Sequence, residues 1–196
     1  MNDPFLALLD PVAAATALEE EGMPPVFSSV NLFRATMAHP PIGRIMGDVV
    51  GAIVMDSVLD ARTREVAILR VGWRIGSVYE WSNHVPIARR AGMSDEEIAA
   101  VREEEPSRSL LSELDRCAIA VVDEVLGGVE VSPPTLASAR ALIGDDRAVL
   151  ELLTIPGLYR TIGTLLLSGA VPLEDHVEPW PPDGRSPDAG TVRGAP

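Results

Sequence analysis

Apolar residues recur at spacings of three and four through most of the chain, and strand-type alternation is scarce, which predicts an all-α protein. A short helix is expected over Pro11–Glu21, broken by Pro24-Pro25. Asn31–His39 reads as a helix ended by Pro40-Pro41, and Ile42–Ser57 as another with Ile45, Met46, Val49, Val50, Ile53 and Val54 on its apolar face. Asp60 can cap a helix over Ala61–Ile75 that stops at Gly76. Ser77 can cap one over Val78–Ala91 that stops at Gly92. Ser94 with Glu97 forms a capping box for a short helix, and a charged loop follows over Glu103–Ser109. Leu110–Leu126 is strongly amphipathic and ends at Gly127-Gly128. Ser132 before Pro133 opens a helix closed by Gly144, and Asp146–Ser168 is a last helix with a kink expected at Pro156-Gly157. Residues 1–30 read as an N-terminal extension, 31–177 as the helical domain, and the proline- and glycine-rich 178–196 as a disordered tail.

Composition narrows the function classes. With a formal net charge of -13, nucleic acid and anionic membranes are poor partners. All cationic side chains are arginine. One cysteine, Cys117, excludes a disulfide within the chain and argues against a cysteine metal site. It lies on a helical stripe with Leu114 and Val121, as a buried small hydrophobe would. The N-terminus lacks a signal-peptide pattern and no apolar run reaches the length of a span, so a cytoplasmic chain is expected. Ile42–Ser57 and Ala61–Ile75 are apolar around much of their circumference, which predicts a homo-oligomer.

Within Ala61–Ile75, Glu65 shares the stripe of Ile68, Leu69 and Gly72. A carboxylate on an apolar face needs a partner or a shifted pKa. The next helix places Glu80 and His84 four apart on one face, continued by Ile87 and Ala91. Two carboxyls and an imidazole in a semi-dry pocket form a workable acid–base set. Plainer readings stand beside this one. Glu80 fits a capping box with Ser77, His84 fits a hydrogen-bonded core histidine, and Glu65 fits an ion pair with an arginine. A metal site on the Glu80/His84 pair lacks evident further ligands, so no metal is expected. Tyr79, Trp81 and Trp73 flank the cluster; core packing is their default role and pocket lining the sharper one, and Tyr79, Trp81 and the helix-cap residue Ser77 are the candidate substrate-binding residues. Gly-rich phosphate loops, nucleophile elbows and zinc motifs are absent from the sequence.

Three stretches carry a family likeness: Arg64-Glu65-Val66-Ala67-Ile68-Leu69, Tyr79-Glu80-Trp81-Ser82-Asn83-His84, and Ala91-Gly92-Met93-Ser94-Asp95-Glu96-Glu97-Ile98. In combination they resemble the carboxymuconolactone decarboxylase-like family of the alkylhydroperoxidase D-like superfamily. The wider resemblance runs from about Asn31 to Leu173 and takes in Leu158-Tyr159-Arg160. It implies an alkylhydroperoxidase D-like helical bundle that forms homo-oligomers. In the peroxidase branch a glutamate, a Cys-x-x-Cys pair and a histidine form the site. Here those positions fall on Glu65, Ser77, Glu80 and His84, so both thiols are missing and thiol–disulfide chemistry by that route is closed. The resemblance to the branch without the cysteine pair implies cofactor-free lyase or isomerase chemistry on a small carboxylated or lactone metabolite. Glu65, Glu80 and His84 would be its catalytic residues. The alternatives are an alkylhydroperoxidase-like antioxidant protein and a non-catalytic ligand-binding oligomer.

Overall fold

The computed structural model describes residues 6–179 and Arg185, and the described residues contain helices and no strand. The expected tail therefore falls almost wholly outside the described residues. The described residues divide into two units, residues 6–56 with 164–178 and residues 57–163 with 179 and Arg185.

In the first unit, α1 (Pro11–Glu20) is capped by Asp10, whose carboxylate accepts from the Val12 and Ala13 amides. A 3-10 turn over Pro25–Ser29 leads to α2 (Asn31–Thr36) and α3 (Pro40–Val50). Two expectations change here. Pro40-Pro41 opens α3 rather than merely closing α2, because proline lacks only a donor that the first turn leaves unused and its φ is already helical. The helix expected to run on to Ser57 gives way to a π-helical turn over Gly51–Met55. The buried face of α3 is also narrower than its apolar pattern. Gly43, Met46 and Gly47 face inward, with Met37 and Met23 packed so close to the two glycines that a Cβ would collide, and Ile45 is half exposed. Small residues at i and i+4 allow the close approach that Ile45 could not.

The second unit is built round α4 (Ala61–Ile75), which packs on α5 (Val78–Arg90) and α7 (Glu113–Gly127). Asp60 accepts from the Thr63 amide at 3.1 Å, and Gly76 ends the helix in the left-handed region at φ 76°. Every residue of α4 from Thr63 to Gly72 is buried, so the helix is central and buried all round. α6 (Asp95–Ala100) starts on the expected Ser94/Glu97 capping box. α7 starts three residues later than expected, on a second box from Ser112 and Asp115. α8 (Pro133–Ile143) packs on α7. α9 (Asp146–Ser168) continues through Pro156 as one helix. By length and composition it could cross a membrane, but Leu152, Ile155, Tyr159 and Ile162 on it are buried in the protein. Glu151 of α9 accepts from the Val58 and Leu59 amides at 3.0 Å, tying it to the segment that leads into α4.

Candidate active site

The site lies in the second unit, where α4, α5 and α9 meet. Ser77 Oγ caps α5 by accepting the Glu80 amide at 3.2 Å. Next to this turn α4 and α5 come close at Gly72, where a Cβ would stand 3.2 Å from the Trp81 nitrogen. This approach brings the polar stripe of α5 onto Glu65.

Glu65 is fully buried and both its oxygens are engaged. Oε1 accepts from Arg64 Nε at 3.0 Å and Oε2 meets His84 Nδ1 at 2.8 Å. Burial pushes the Glu65 pKa up, but the His84 charge and hydrogen bond and the Arg64 guanidinium outweigh it. The carboxyl is held below its ordinary value. With Glu65 ionised, Nδ1 carries the shared hydrogen, and Nε2 is the ring nitrogen that Glu65 does not engage. The His84 side chain is 12% exposed, so the ring is held from inside the protein and reaches its surface.

Glu80 is the opposite case. It is buried, and neither carboxyl oxygen has a hydrogen-bond partner. The capping-box reading is not met. Ser77 serves the Glu80 amide, but the Ser77 amide donates to the Gly72 carbonyl at 2.9 Å rather than to the Glu80 carboxyl. Burial pushes the Glu80 pKa up to about 8, with the nearby Ser77 hydroxyl pulling the other way, so at neutral pH the group is a neutral acid.

Tyr159 of α9 closes the cluster. It is buried and its ring meets the His84 ring edge-on, with centroids 5.3 Å apart. Burial, with the charges of Glu65 and Glu80 and against that of Arg64, raises its pKa well above the ordinary phenol value, so it remains a hydroxyl.

The structure thus joins Glu65 to His84, while Glu80, one turn before His84 on α5, is linked to them through Tyr159, which meets the His84 ring and feels the charges of both carboxyls. The other three expected residues sit in packing and capping positions. Ser77 is the α5 cap, Trp81 is fully buried edge-on to Trp73 at 5.3 Å, and Tyr79 is buried with its carbonyl accepting from Asn83 Nδ2. Arg64 and Tyr159 were missed as site residues. Tyr159 had a signal: a tyrosine on the stripe Leu152, Ile155, Tyr159, Ile162 must find a setting for its hydroxyl when that stripe is buried. Arg64 had a partial one: an ion pair of Glu65 with an arginine was among the plainer readings, but neighbouring helix residues do not ordinarily face each other, so the pattern did not single Arg64 out. Among the described residues no three His, Cys, Asp or Glu side chains group as metal ligands.

No curated protein and no solved structure matches the chain. Residues 40–106 match the model of the Carboxymuconolactone decarboxylase family, a stretch that includes Arg64, Glu65, Glu80 and His84 but not Tyr159. The chain therefore carries a carboxymuconolactone decarboxylase family domain at residues 40–106.

Proposed function

We propose that the Glu65, His84 and Glu80 cluster is a catalytic centre for acid–base lyase or isomerase chemistry on a small carboxylated or lactone metabolite. The observation that carries this is the pairing of an ionised, doubly partnered Glu65 on His84 Nδ1 with a buried, unpartnered Glu80. Two carboxyls whose surroundings push their pKa values apart are suited to opposite proton roles. Decarboxylation of a keto or lactone acid breaks the bond to the carboxylate, releases carbon dioxide and leaves an enolate-like anion. That anion needs stabilisation and then a proton on carbon. His84 Nε2 is the group that meets the developing charge, Glu65 holds its tautomer, and Glu80 supplies or relays the proton. The same reading has the chain working as a homo-oligomer, in keeping with the exposure of the apolar Ile42 and Ile45 on α3.

Thiol peroxidase chemistry is the poorer reading because Cys117 is the sole cysteine of the chain. It is buried on α7, and burial with the nearby Glu113 and Glu124 charges pushes its pKa up, against thiolate formation.

The test is a panel of keto acids and lactone carboxylates assayed for carbon dioxide release or loss of substrate absorbance. For a substrate that is turned over, His84→Ala should cost about 10²–10⁴-fold in turnover while the protein stays folded. Hydroperoxide reduction that survives Cys117→Ser, with the whole acid and lactone panel inert, would sink the proposal. So would tight binding of a panel compound that is recovered unchanged.

A further inference from the structure

No hydrogen bond fixes the Glu80 carboxyl, so its place is set by what surrounds it. One wall is the backbone of α9 at Gly163. A Cβ there would stand 2.8 Å from Glu80 Oε2 and 2.2 Å from Ile75 Cδ1, both closer than real side chains come. Helix propensity favours alanine at this position, because Gly163 lies inside a 23-residue helix and is not among the positive-φ glycines. Gly157 on the same helix is the contrast, since a Cβ there meets nothing within 4 Å.

We propose that Gly163 is a positioning residue for Glu80: the missing side chain leaves the dry room in which the Glu80 carboxyl sits beside Tyr159, and a side chain there would drive the carboxyl out. The inference rests on the reading of Glu80 as a proton-handling group. The groups that bear on it are the Ser77 hydroxyl at the start of α5 and Tyr159 of α9, which feels the charges of Glu80, Glu65 and Arg64 together. Arg64 and His84 are both engaged by Glu65, which leaves Glu80 governed chiefly by its dryness. A carboxyl displaced into water loses the burial that keeps it protonated.

The experiment is a carbon-13 titration of the glutamate carboxyls in the full chain, with Glu80 assigned through Glu80→Gln. Wild type and Gly157→Ala should both show Glu80 titrating near pH 8. In Gly163→Ala the titration should fall by about one pH unit or more. It should also fall when Gly163→Ala is placed on Ile75→Val, which removes Cδ1 and leaves Glu80 as the remaining close contact. An unmoved titration in that double variant overturns the proposal. Thermal melting gives a second measurement for the case in which these variants are too unstable to titrate. The loss caused by Gly163→Ala should largely vanish when Glu80→Ala and Ile75→Val are already present, and a loss of unchanged size overturns the proposal. Failure of the acid–base reading would show elsewhere, as unchanged turnover in Glu80→Gln.

Discussion

Helix α4 buries charge at both Arg70 and Glu65, and the two places are finished differently. The Arg70 side chain is completely buried and its hydrogen bonds are spent on structure. Nε and Nη2 donate to Asp123 at 2.9 and 2.7 Å, and Nη1 donates to the Val101 and Glu103 carbonyls at 2.8 Å. One residue thereby ties α4 to α7 and to the chain after α6. Around Glu65 the donors are again well placed, but the chain of partners runs outward to a histidine at the surface and stops short of Glu80. The difference teaches how to tell a structural buried charge from a candidate working one. A charge whose neighbours are all satisfied has nothing left to offer a ligand. A buried carboxyl with two idle oxygens costs stability and needs another reason to be kept.

The comparison breaks first at Asp123. Asp123→Ala leaves the Arg70 guanidinium buried without its counter-charge and should cost about 3 kcal/mol or more, read as a lowered denaturant midpoint at unchanged slope. A loss no larger than that of an ordinary surface substitution would show that the two places are alike after all.

Glu80 gives the next effect, through pH. Its folded pKa of about 8 lies above the unfolded value, so the folded state keeps a proton that the unfolded chain has already released. Its contribution to stability is complete below about pH 4.5 and is lost as pH rises toward 8, by at most about 1.4 kcal/mol per pH unit. Glu80→Gln should remove that fall from a series of unfolding curves between pH 5 and 8. If wild type and variant keep parallel pH profiles, the acid is not held neutral.

Glu65 carries the opposite sign. Its folded pKa is lowered, so its contribution is present above the unfolded value and lost as pH falls through the folded one. His84→Ala removes the largest lowering influence. Acid unfolding followed by circular dichroism should then begin about half a pH unit higher. An acid midpoint that stays put would mean the Glu65–His84 bond contributes nothing to the fold.

The smallest effect separates the two glycines of α9. Gly157→Ala enters open space inside a helix and should raise stability by about 0.5–1 kcal/mol. A loss there would mean that α9 rejects any alanine, and the contrast with Gly163 would lose its meaning.

Several features of this protein were local and so legible in the chain itself. The caps at Asp60, Ser77 and Ser94, the stop at Gly76, and the shared face of Glu80 and His84 depend on residues within one or two turns of each other. Even the need of Glu65 for a partner followed from an acidic residue on an apolar stripe. Tertiary structure alone decided which partner met that need. Arg64, the neighbouring residue on α4, takes one Glu65 oxygen, and His84 takes the other only because α5 folds back on α4 at Gly72. It also decided that Glu80 would be left without one, and that Tyr159 and Gly163, some 80 residues further along, would form the facing wall. Helical periodicity tells a residue that it faces inward. What waits there is set by how separate helices pack, and close packing over such sequence distances leaves no mark in local spacing.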